Sequence, residues 1–174
     1  HIRAGISYTD YEHKEVEIPP GGARLIGTVF DNQGLEGRIT LNHVHDSGRE
    51  GVWGIHFSQT NFSAIGVDAF IPRSDLGAVG IFGVERFRRN QLVGEFGIRV
   101  ERSKVDPGGS CDYSETSSSL SASLLYDLSD ESNVLFGITH SERAATVEEL
   151  YSNRSTSSCS RSVSNEDLVA HAAT

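Results

Sequence analysis

Seven histidines are the side chains of this sequence best suited to chemistry, because neutral imidazole is a common ligand for zinc and other metals. His13 stands in the polar run Glu12-His13-Lys14-Glu15, and His140 lies two positions before Glu142. His56 falls on the polar side of an alternating run. These three are the candidate metal ligands. His43 and His45 are spaced to share one face of a strand. For each, the plainer account is a wet polar side chain at an interface or in a lumen. No tight ligand motif such as His-Glu-x-x-His is present.

Other chemistry finds less support. There is no Gly-x-Ser-x-Gly elbow to seat a nucleophile, and the serines are too scattered to nominate one, so an enzyme is not expected. Nothing points to a bound cofactor. Cys111 and Cys159 lie far apart, outside any metal-ligand spacing. Both sit in polar, Ser-rich stretches. A disulfide between two loops and a pair of free surface thiols are both compatible with that placement. The net charge is −9. The one basic run, Arg86-Phe87-Arg88-Arg89, is too short for a nucleic-acid footprint and reads as a charged turn.

The elements that must position these residues are strands. Two-residue alternation is the main signal. Ile2, Ala4, Ile6 and Tyr8 oppose Arg3, Gly5, Ser7 and Thr9. Gly37, Ile39 and Leu41 oppose Glu36, Arg38, Thr40 and Asn42. Trp53, Ile55 and Phe57 oppose Gly54, His56 and Ser58. The clearest run places Leu92, Gly94, Phe96, Ile98 and Val100 against Val93, Glu95, Gly97, Arg99 and Glu101. Leu120 to Tyr126 and Val134 to Ile138 repeat the pattern, and the segment from Gly77 to Phe87 is strand-like. About seven or eight strands result.

Alternation suits a strand between lipid and a wet lumen, and it equally suits a strand on a soluble sheet. The connections favour the first. Polar links near His13–Ala23, Gln59–Asp75 and Lys104–Glu115 read as long. His45–Glu50, Arg88–Gln91 and Ser129–Ser132 read as tight turns. Long and short in strict rotation is the habit of an outer-membrane barrel, with long loops outside and short turns in the periplasm. No stretch reaches the roughly 18 apolar residues of a membrane helix. Trp53, Tyr8, Tyr126 and Phe87 could belong to aromatic girdles, and Arg99, Glu95 and Glu101 to an inward charge ladder.

Three stretches carry a family resemblance. Residues 62–106, residues 140–153 (HSERAATVEELYSN) with SNEDL at 164–168, and the opening SYTDYEHKEVE at 7–17 resemble the barrel of TonB-dependent outer-membrane receptors. The nearest branch includes zinc-uptake and iron-complex receptors. Ala145 and Glu166 stand where that family favours proline, which predicts a looser turn before the Glu-Glu-Leu-Tyr segment.

The resemblance implies an all-β fold, an antiparallel meander forming part of a transmembrane β-barrel. It assigns residues 1–153 to the barrel wall and leaves 154–174 as a Ser-rich tail. It implies residence in the bacterial outer membrane and import of a metal ion or metal complex. Its partners are outer-membrane lipid and the TonB energy-transducing complex, met through a plug domain that this sequence does not show. No nucleic acid is implied. Because Ile2 already lies inside a strand pattern, a piece of a larger barrel is expected. A small self-contained barrel or a soluble β-sandwich binding module is the alternative.

Overall fold

The computed structural model describes residues 1–66, 71–108 and 112–151. It contains seven strands, β1 (Ile2–Glu17), β2 (Leu25–His45), β3 (Arg49–Gly66), β4 (Ile71–Arg89), β5 (Leu92–Asp106), β6 (Tyr113–Ser129) and β7 (Ser132–Ser141), and a short helix, α1 (Val147–Tyr151). All strands join one antiparallel sheet in the order β1-β2-β3-β4-β5-β6-β7. Each pairs only with its neighbours in sequence, so the sheet is a meander. Among the described residues β1 and β7 each pair on one side, and the sheet is not closed.

The expected tight turns are in place. Gly48, at φ 76, closes the loop between β2 and β3, where its amide donates to the His45 carbonyl at 3.1 Å. Asn90, at φ 54, opens the two-residue loop between Arg89 and Leu92. Left-handed residues at such corners match the right-handed twist of the flanking strands. Ser129 pairs with Ser132 across the third turn.

The long links are a correction. Residues 13–17 and 59–66 are strand, and so are 104–106 and 113–115. What remains between β1 and β2 is only 18–24. These strand ends carry charged residues on both faces, with Glu12, Lys14 and Glu15 paired to Asp31, Val29 and Thr28. The backbone ladder continues there, but the strict alternation of apolar and polar residues seen in the middle of the sheet is lost. β2 runs 21 residues, roughly 70 Å at about 3.3 Å per residue. Tilted by about 40°, it still outreaches a hydrocarbon core of about 30 Å.

The register also carries a stagger. One line of partners runs from His45 through Arg49, Phe87, Gly94 and Leu124 to Phe136. It passes right beside the first tight turn, further from the second and further still from the third. That steady offset is the shear of tilted barrel strands.

The sheet has no second layer among the described residues, which a β-sandwich would require. Among the described residues the buried apolar side chains are few, Ala64, Val93 and Val105 on the strands, Pro107 after β5 and Val147 in α1, while Ile2, Ile6, Ile81 and Phe136 are more than half exposed.

Candidate functional site

The register sorts side chains onto two faces. On one, Ile2, Ala4, Ile6 and Tyr8 of β1 meet Leu41, Ile39, Gly37 and Leu35 of β2. These continue into Trp53, Ile55 and Phe57 of β3, then Gly83, Ile81 and Val79 of β4. Phe96, Ile98 and Val100 of β5 follow, then Leu120, Ala122 and Leu124 of β6, and Ile138, Phe136 and Val134 of β7. The result is a belt that crosses all seven strands without a charged residue at its middle. Above it the same face turns polar, with Gln33 on β2, Gln59 and Asn61 on β3, Asp75 on β4 and Arg102 on β5.

Flat aromatic rings complete the belt where the partner strand offers glycine. Phe57 lies over Gly37, Trp53 over Gly83 and Phe87 over Gly94, each a directly opposed pair. An aromatic ring laid across glycine covers bare backbone and fixes register. At the tight-turn border the Trp53 Nε1–H donates to Glu85 Oε1 at 2.6 Å, and His43 Nε2 lies 3.3 Å from Glu85 Oε2.

The opposite face is polar and small. Arg38 stacks on Phe82 at 5.5 Å from the ring centroid, and Phe82 in turn covers Gly54. Arg99 pairs with Glu101, two members of the expected inward ladder. Glu95 shares their parity. Ser117, Ser119, Ser121 and Ser123 line β6 on this side. A concave depression of about 390 Å³ lies among Arg38, Phe82, Arg99, Ser119, Ser121 and Thr139. Small hydroxyls and paired charges make a wettable wall of hydrogen-bonding groups.

The three candidate histidines are not brought together. His13 is on β1, on the polar-face parity and beyond the level of the belt. It is stacked on Phe30 with ring centroids 4.5 Å apart and tilted against Tyr11 at 5.5 Å. Its Nδ1 is buried without a hydrogen-bond partner among the described residues. His56, on the same face of β3, has Nε2 at 2.9 Å from Glu36 Oε1. His140, on the apolar-face parity at the end of β7, has Nε2 at 3.3 Å from Glu142 Oε1. No group of three metal-ligating side chains occurs among the described residues. Of the His43 and His45 pair, His43 is drawn to Glu85. Cys111 and Cys159 lie outside the described residues, as does the tail beyond Tyr151.

After β7 the chain is held by side chains. Arg143 donates to both carboxylate oxygens of Glu149, at 2.8 and 2.5 Å. The Thr146 amide donates to Glu149 at 2.8 Å, and the Glu149 amide to Thr146 Oγ1 at 3.3 Å. This reciprocal pair is a capping box, and it starts α1, which contacts β4. Arg143 and the Thr146 amide together hold the Glu149 carboxyl at about 2, well below its ordinary 4.5. The turn that lacks its proline is thus fastened by a clamp that the sequence reading did not foresee. Thr146 and Glu149, three apart, were its legible sign.

A family model described as TonB dependent receptor-like, beta-barrel, matches residues 2–170. No curated protein sequence matches the chain.

Proposed function

The chain belongs to the TonB-dependent receptor-like β-barrel family, and we propose that it forms part of the wall of a receptor importing a metal ion or metal complex. Transport across the outer membrane is the family's work, and it is not enzymatic. The finer reading names zinc, an iron–siderophore or haem as cargo. It sets the wall in outer-membrane lipid and reaches the TonB complex through a plug domain.

The apolar belt across seven strands, backed by a hydroxyl-rich face, is the observation that carries this reading. Lipid on one side and a wet lumen on the other is what such a wall separates. His13 is the candidate ligand that best suits incoming cargo. It stands on the lumen side, outside the belt, beside Tyr11 and Phe30. His56 is already engaged by Glu36 and His140 shares the outward parity.

The test is uptake of radiolabelled zinc, ferric siderophore and haem by cells that depend on the receptor, with and without TonB. TonB-dependent uptake of one of the three is expected. His13→Ala should weaken its half-saturation by about tenfold, the worth of one good polar contact. Uptake of none contradicts the metal reading, and unchanged half-saturation removes His13 from the path.

A further inference from the structure

The outward face changes chemistry in the same order on three adjacent strands. Along β3 it reads Phe57, Ile55, Trp53, Gly51, Arg49. Along β4 it reads Val79, Ile81, Gly83, Glu85, Phe87, Arg89, and along β2 it reads Ile39, Leu41, His43, His45. Each strand begins apolar at the belt and ends in a basic side chain at the tight turn, His45, Arg49 or Arg89.

The register gathers those ends. Arg49 stands directly between His45 on β2 and Phe87 on β4. Arg89 lies two residues past Phe87 on the same parity, which makes Arg49 and Arg89 diagonal neighbours roughly 7–8 Å apart. Both are exposed, and neither forms an ion pair with another described residue. Glu85 is the one acidic residue on the outward parity of these strand ends. It sits one step inward, occupied by Trp53 and His43. In a chain of net charge −9, this is a local concentration of positive charge, of which Arg49 also acts on the Glu85 carboxylate from a distance and Arg89 forms no ion pair with a described residue.

We propose that His45, Arg49 and Arg89 bind the phosphate of a phospholipid headgroup in the leaflet on the tight-turn side, with a preference for an anionic lipid. The inference rests on the membrane reading given above. Trp53 and Phe87 lie at the boundary between chains and headgroups, where amphipathic and flat rings settle. The arginine stems cross that boundary and carry their guanidinium groups to the phosphate level. Two guanidiniums on adjacent strands can each offer paired N–H donors to phosphate oxygens. With Glu85 occupied, no outward carboxylate of these strand ends remains to meet an ammonium headgroup, so phosphatidylglycerol is favoured over phosphatidylethanolamine.

The test uses the whole receptor that carries this chain, purified in mild detergent. Retained phosphatidylglycerol, phosphatidylethanolamine and inorganic phosphate are counted by native mass spectrometry. Phosphatidylglycerol should be retained preferentially. Arg49→Gln and Arg89→Gln should each lower its retention by on the order of fivefold. The Arg49→Lys/Arg89→Lys variant should keep most of it, and Arg3→Gln on the opposite face should keep all of it. Unchanged retention in Arg49→Gln/Arg89→Gln, an equal loss in Arg3→Gln, or full displacement by inorganic phosphate would each overturn the lipid site. A receptor that stays in the aqueous phase on detergent partition would overturn the membrane reading itself. An inserted receptor indifferent to lipid type overturns the site alone.

Discussion

The indole of Trp53 lies over Gly83, its direct partner on the next strand, and a Cβ added at Gly83 would stand 2.6 Å from the ring. The same arrangement joins Phe57 to Gly37 and Phe87 to Gly94 on the outward face, and Phe82 to Gly54 on the inward one. Ring and glycine act as one unit. The glycine gives the ring room to lie flat, and the ring covers the backbone that the glycine leaves bare.

Gly83→Val should therefore force Trp53 off its seat and strain its bond to Glu85. A cost of about 1–3 kcal/mol is expected for such overpacking. Gly77→Val is the control. It shares the outward parity of β4, and its nearest neighbour to an added Cβ is the Ser58 carbonyl oxygen at 3.9 Å. Urea unfolding of the receptor from vesicles measures both. Equal midpoints for the two variants would contradict the pairing.

Part of that pairing was legible in the sequence. Counting back from the tight turns at 46–48 and 90–91 sets Phe57 against Gly37 and Phe87 against Gly94, since a short turn fixes its hairpin's register. Trp53 and Gly83 are separated by a longer connection, which leaves register open. The belt itself was readable because its apolar residues recur at every second position. The outer strand ends were not, because Glu12, Lys14, Asp31 and Asn61 meet water on either side and show no period. Strand count and tight turns came from local chemistry, and the clamp of Arg143 on Glu149 had a local sign in Thr146 and Glu149, whereas the stack of His13 on Phe30 depends on strand pairing. The candidate histidines illustrate the limit. Residue type suggested ligands, but only register shows that β1, β3 and β7 hold them apart.

The two faces should respond oppositely to charge. Ile81 sits in the middle of the outward belt, and Ile81→Arg should destabilise the inserted receptor by roughly 2–4 kcal/mol. Ser121, on β6, lies on the opposite, polar face, and Ser121→Arg should change stability little. Folding yield into vesicles, read by the shift between heated and unheated electrophoretic mobility, reports both. Similar yields for the two variants would contradict the assignment of faces.

The clamp after β7 should depend on pH in a fixed direction. The Glu149 carboxyl is held at about 2, against an ordinary 4.5. A lowered value in the folded state means that the stabilisation is complete above the ordinary value and is lost as pH falls towards the folded one. The Leu150 amide, which donates to the Thr146 carbonyl at 3.1 Å, should stay protected from hydrogen exchange at pH 5. Its protection should decline progressively between about 4.5 and about 2. Arg143→Gln should weaken it already at neutral pH. A Leu150 amide indifferent to both changes would show that α1 is held by other contacts.

The central claim is that one face of this seven-stranded meander meets lipid and the other meets water, as in a barrel wall. Nitroxide labels placed one at a time at positions 53 to 58 of the receptor in vesicles test it most directly, using collision with lipid-soluble oxygen and with a water-soluble nickel chelate. Labels at 53, 55 and 57 should favour oxygen, and labels at 54, 56 and 58 should favour the chelate, in strict alternation. Uniform access to the chelate, or no alternation between neighbours, would contradict the account.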